Sequence, residues 1–105
     1  MNVEDIRSHA IAKKDVTESF PFGESTLVFK VNGKIFLLVG MDHQPLQFNV
    51  KCDPERAEEL RGQYDCIIPG YHMNKKHWNT VVLTGQLPWE EVQDLIRHSY
   101  ELVKE

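Results

Sequence analysis

Two histidines, two adjacent lysines, two asparagines, a tyrosine and a tryptophan share the segment PGYHMNKKHWNTV, Pro69 to Val81, and no carboxylate interrupts them. Lysine ammoniums are compact charges suited to phosphate, and each phosphate they neutralise releases condensed counterions, so binding of this kind is salt-sensitive. Lys75 and Lys76 would form the charge centre. Asn74, Asn79, His72 and His77 offer polar groups for phosphate oxygens or base edges. Trp78 would support the patch, and it or Tyr71 could stack on an exposed base. Protonation of His72 and His77 adds positive charge, so binding through this segment is expected to tighten as pH falls through the histidine range.

Other chemistries fit the same residues less well. His72 and His77 with Cys66 or Cys52 match no tight zinc spacing, and the pairs do not share a helix, so no metal or other cofactor is expected. A thiolate–imidazole pair from Cys66 and a histidine has no supporting motif, and a cysteine in the run CII reads as a small buried hydrophobe. No glycine-rich phosphate loop, nucleophile elbow or paired carboxylates appear, so the chain is expected not to be an enzyme. The segment also has a purely structural reading. Pro69-Gly70 makes a turn, Trp78 packs in the core, His72 satisfies backbone groups and the lysines protect a strand edge. A rival functional reading is a protein- or peptide-interaction module, using an exposed sheet face around Tyr71, Met73 and Trp78.

The bulk charge opposes a generic nucleic-acid binder: over 105 residues the formal net charge is −4. Its distribution does not. Acids cluster in Glu4–Glu24, Asp53–Asp65 and Glu90–Glu105. The segment Ser25–Met41, with Lys30 and Lys34, has none, and neither has Cys66–Trp89, with Lys75 and Lys76. Acidic helices and weakly basic strands would make a bipolar surface able to steer an anion locally. The length suits one domain, residues 1–105. The longest apolar run, IFLLVGM, is strand-sized, so no membrane association is expected. The N-terminus lacks the order of a secretion signal, and two cysteines outside any CxxC read as reduced thiols in a cytoplasmic protein.

The elements that must position this segment follow from periodicity. Residues 3–13 carry Val3, Ile6, Ala10 and Ile11 at helical spacing. VTESFPFGES reads as a connector, with Phe20 and Phe22 expected to pin it to the core. TLVFKV alternates, with Leu27, Phe29 and Val31 inward, and Asn32-Gly33 is a type I′ hairpin signal leading into the strand Lys34–Gly40. LQFNVK alternates again after the turn DHQP, with Leu46, Phe48 and Val50 inward. Asp53-Pro54-Glu55 starts a helix by capping, φ restriction and dipole. A short strand at Cys66–Ile68 and a strand at His77–Leu83 follow. Pro88 opens a last helix with Val92, Leu95, Ile96, Ser99 and Val103 inward. The order α-β-β-β-α-(β)-β-α predicts a two-layer α+β sandwich with an antiparallel sheet. Its short edges permit a monomer or a weak dimer.

With VTESFPFGESTLVFKVNGKIF before the hairpin, VKCDPERAEELR, PGYHMNKKHWNTV and the final LIRHSYELV, the sequence resembles the MmcQ/YjbR family of small bacterial proteins over nearly its whole length. The resemblance implies a fold like that of type III secretion chaperones. It also implies DNA binding in a double-wing mode, in which two β-hairpin regions touch the duplex. Carried onto this chain, Lys30 and Lys34 beside the Asn32-Gly33 turn form one region. His72, Asn74, Lys75, Lys76, His77 and Trp78 form the other.

Overall fold

The computed structural model describes residues 1–71 and 73–105. Three helices cover one face of a six-stranded sheet. The elements are α1 (Val3–Ile11), β1 (Val16–Ser19), β2 (Thr26–Val31), β3 (Lys34–Gly40), β4 (Gln47–Lys51), α2 (Pro54–Gln63), β5 (Ile67–Pro69), β6 (Trp78–Val82) and α3 (Trp89–Val103). The strands lie in the order β1-β2-β3-β4-β6-β5, every neighbour antiparallel. The expected α+β sandwich is therefore present, with one correction. VTESFPFGES is not all connector: Val16–Ser19 pairs with β2 as an edge strand. Thr17, between Val16 and Glu18, already has the alternation of a strand. Phe20 and Phe22 do not pin the following turn to the core, being 49% and 65% exposed.

Local rules account for the helix ends. Asn2 Oδ1 accepts from the Asp5 N–H at 3.0 Å while Asp5 Oδ2 accepts from the Asn2 N–H at 2.9 Å, a reciprocal capping box on α1. Asp53 caps α2 by accepting from the Arg56 N–H, with Pro54 at the first helical position. α3 follows Pro88 with no side-chain cap, and Glu90 and Glu91 offset its positive end instead.

The hairpin turn is as predicted: Asn32 and Gly33 both have positive φ, 52° and 80°. Beyond it the ladder slips. Phe29 faces Leu37 while Lys30 faces Ile35, leaving Phe36 as an extra residue on β3. This bulge turns Phe36 and Leu37 both into the core, where Phe36 meets Tyr100 edge-on at 5.5 Å. It also removes the Phe36 carbonyl from the ladder, and the buried Ser99 hydroxyl of α3 donates to it at 2.6 Å. Ser99 Oγ in turn accepts from the Lys51 N–H at 2.9 Å, so one hydroxyl ties α3 to two strands.

The core lies between the sheet and the helices. Leu27, Phe29, Phe48, Val50 and Val81 meet Val92, Leu95 and Ile96 there. Cys52 and Cys66 are both buried thiols, and burial raises the pKa of each. No helix among the described residues is long and apolar enough to cross a membrane.

Candidate functional site

Alternation places the other side chains of the strands on the open face of the sheet: Thr17, Lys30, Leu38, Asn49, Lys51, Trp78 and Thr80 follow from the pairings. This face has no carboxylate on any strand. The one acid within a strand, Glu18, points to the helix side and accepts from Arg7 Nε of α1 at 2.8 Å.

The segment after β5 folds over this face. The Gly70 N–H donates to the Trp78 carbonyl at 2.9 Å, and the Tyr71 N–H donates to Thr80 Oγ1 at 2.9 Å. Thr80 is fully buried and donates its own hydroxyl proton to Asn49 Oδ1. A Cβ on Gly70 would lie 2.8 Å from the Trp78 Cβ and 2.9 Å from its carbonyl oxygen, so only glycine permits this approach. The Asn74 side-chain oxygen accepts from the N–H groups of Lys76 and His77, at 2.9 and 3.3 Å, and shapes the turn that presents both lysines. Lys75 Nζ donates to the Gly70 carbonyl at 3.2 Å.

Arg61 of α2 holds the segment from beneath. Its Nε donates to Asn79 Oδ1 at 2.7 Å, and its Nη2 donates to the carbonyls of Lys75 and Trp78. Asn79, expected among the groups offered to a ligand, is instead 1% exposed and faces α2, where its amide also donates to the Ala57 carbonyl. It belongs to the anchor, because position 79 lies on the inward register of β6.

Of the predicted residues, Lys75, Lys76, Asn74, His77 and Trp78 gather at one end of the sheet. His72 lies outside the described residues. Lys30 projects from the open face in register with Thr17 and Ile35. Lys34 sits at the rim, where its Nζ donates to the main-chain oxygen of Glu105 at 2.8 Å. The β2–β3 turn and the β5–β6 connection emerge at the same end of the sheet, with β4 between the two hairpins. At the usual strand spacing their tips are about 14 Å apart. Sequence reasoning passed over Lys51, which occupies that intervening strand opposite Trp78. The signal was present: if Phe48 and Val50 point inward, Lys51 points outward.

Ion pairing divides the molecule. Among the described residues, every lysine or arginine side chain in an ion pair belongs to a helix or its end: Arg7 with Glu4 and Glu18, Arg56 and Arg97 with Asp94, Lys104 with Glu101. The Arg56 and Arg97 hydrogen bonds hold the Asp94 carboxyl below its ordinary pKa. Lys30, Lys51, Lys75 and Lys76 have no carboxylate partner there. The open end of the sheet thus carries positive charge that the protein itself does not neutralise.

A groove of about 460 Å³ continues along the open face toward the opposite end of the strands. Leu38, Thr26 and Asn49 line it, Phe22 rims it on one side, and Tyr71 and Met73 rim it on the other. Asp42 and His43 close its far end.

The family model described as YjbR matches residues 11–102. Escherichia coli O157:H7 protein YbdF is 40% identical over 84 residues, covering 80% of this chain and 69% of its own. YjbR of Escherichia coli strain K12 is 31% identical over 101 residues, covering 96% and 86%. The crystal structure of Deinococcus radiodurans protein DR2400, with domain DUF419, superposes with a TM-score of 0.94 at 44% identity, covering 99% of this chain and 79% of that one. None of these names states an activity.

Proposed function

The chain belongs to the YjbR family, and from that premise we propose that it is a non-enzymatic, cytoplasmic DNA-binding protein. It contacts the nucleic-acid backbone through the β2–β3 and β5–β6 hairpin regions. The observation that carries this reading is the segregation of charge. Lys30, Lys51, Lys75 and Lys76 lack carboxylate partners among the described residues, whereas the helix cations Arg7, Arg56 and Arg97, with Lys104 at the end of α3, are paired with helix acids or with Glu18; Arg61 donates instead to Asn79 and main-chain carbonyls. A phosphate backbone supplies the missing counter-charge. The tips' separation of about 14 Å is close to the ~12 Å width of a major groove, so both can reach one duplex. Asn74, His77 and His72 add polar contacts, Trp78 supports the patch, and Lys34 flanks it. A footprint of about four lysines gives affinity on the order of micromolar or poorer at physiological salt.

Exposed aromatics favour a second reading. Tyr71 and Phe22 are 58% and 65% exposed beside an apolar groove floor, which suits a protein or peptide partner. Salt separates the two. Fluorescence anisotropy of a labelled duplex, from low to physiological salt, should give saturable binding with a log–log slope near −3.5. Lys75→Glu/Lys76→Glu should abolish it. No binding at low salt overturns the DNA reading, and a partner retained at high salt but lost with Trp78→Ala establishes the other.

A further inference from the structure

We infer that the groove on the open sheet face is a nucleobase site, and that the protein prefers DNA with an unpaired nucleotide to fully paired duplex. This rests on the DNA-binding reading above and specifies its substrate. A backbone held only by lysines needs no cavity. Yet the same face of the sheet carries one farther along the strands, of about 460 Å³, ample for a single base with its sugar.

The distance is suitable. Lys30 and Thr26 stand four residues apart on β2, about 13 Å at strand rise, or roughly two nucleotides of extended single strand. A strand whose phosphates lie on Lys30, Lys51 and Lys76 therefore delivers a base about two nucleotides farther on over Thr26 and Leu38.

The lining has the division of labour a base requires. Leu38, 8% exposed, provides an apolar floor, and the exposed rings of Phe22 and Tyr71 at the two rims are within reach of a base for stacking. Thr26, Gln47 and Asn49 place hydroxyl and amide groups at the floor, where the edge of a base needs both donors and acceptors. Asp42 at the far end repels phosphate and accepts from an exocyclic amine, so polarity runs from phosphate-binding to base-binding along the strands. Charge complementarity selects a nucleotide over an apolar peptide: Lys51 stands two residues beyond Asn49 of the groove on the same face of β4, and it and Lys30 have no carboxylate partner among the described residues, a charge that a neutral peptide would leave unmet.

The probe is a short DNA duplex carrying one single-nucleotide bulge, compared with the same duplex carrying an abasic residue at the bulge and with the fully paired duplex. The bulged base is expected to raise affinity about tenfold over both controls, the gain typical of one stacked base. Phe22→Ala should remove that gain and leave paired-duplex affinity unchanged, while Phe22→Trp keeps it. Phe22 is mostly exposed in a loop, so these substitutions leave the fold intact. A 2-aminopurine at the bulge should lose fluorescence on binding as it stacks. Equal affinity for the base-bearing and abasic bulges overturns the inference while leaving duplex binding standing. Failure of all three DNAs to bind overturns the DNA-binding reading itself and this inference with it.

Discussion

His98 shows how one side chain can couple the fold to pH. Its Nε2 accepts from the Asp53 N–H at 3.2 Å, which only an unprotonated nitrogen can do. Burial lowers its pKa, and Arg56 nearby lowers it further. His9, packed edge-on against Trp89 at 5.9 Å with a buried, unpartnered Nε2, is lowered chiefly by burial too. For both, the unfolded chain takes up protons at higher pH than the folded one. Stability is therefore full above the ordinary value of 6.5 and falls as pH drops below it. Asp94, with its pKa depressed by Arg56 and Arg97, adds a second loss as pH falls below 3.8. Urea unfolding at pH 7.5 and 5.5 should show the wild type weaker at the lower pH, with His98→Phe flattening the difference. At pH 7.5 that variant should lose about 1 kcal/mol for the missing hydrogen bond. An unchanged pH dependence in the variant would remove His98 as a cause.

The anchoring role of Arg61 was not legible. The stripe of α2 reads Ala57, Leu60, Arg61 and continues to Tyr64 at its C-terminal cap, and a cation on such a stripe needs acceptors that sequence does not name. Those acceptors are Asn79 and two main-chain carbonyls contributed by the β5–β6 hairpin, far away along the chain. Arg61→Ala should cost about 1–3 kcal/mol, because Asn79 is left buried without its donor. It should also weaken DNA binding while every lysine stays in place, since the turn carrying Lys75 and Lys76 loses its anchor. Anisotropy beside denaturant titration separates the two effects.

Elements defined by short-range chemistry were readable: the Asn32-Gly33 turn, the Asp53-Pro54 helix start and the inward stripe of α3 all stand where residue types put them. What depended on distant partners was not. β1 is short, polar and at an edge, and only pairing with β2 makes it a strand. The bulge at Phe36 was invisible because the run IFLLVG is apolar on both faces, so no alternation marks the slip. The candidate site divided likewise. Lys75 and Lys76 announced themselves by composition, whereas the groove draws Phe22, Leu38 and Tyr71 from separate elements and exists only once the sheet forms. The bulge also sets a prediction. Among the described residues, Ser99 is the side chain that satisfies both the Phe36 carbonyl and the Lys51 N–H. Ser99→Ala strands both in a buried setting and should cost about 2 kcal/mol, seen as a lower urea midpoint with unchanged m-value. A loss below about 0.5 kcal/mol would mean that water or a backbone shift replaces the hydroxyl.

Across the molecule, acidic helices back a sheet whose open face is weakly basic, and a formal net charge of −4 hides this. The two faces predict different responses to the same change in charge. Lys30→Glu/Lys51→Glu and Lys13→Glu/Lys104→Glu each reverse two lysines, so both variants become more acidic by the same four units. Long-range repulsion of DNA rises equally in the two. Contacts with phosphate disappear only in the first, because Lys30 and Lys51 stand on the open face, whereas Lys13 and Lys104 lie over the Tyr100 ring on the helix layer. The sheet-face variant should lose binding by about two orders of magnitude at low salt and flatten the log–log salt slope by roughly two. The helix-face variant should weaken binding only at low salt, where the Debye length of about 30 Å lets remote charges act, and should keep the wild-type slope near physiological salt. Equal losses in both variants at all salt concentrations would mean that net charge, and not the open face, governs the encounter.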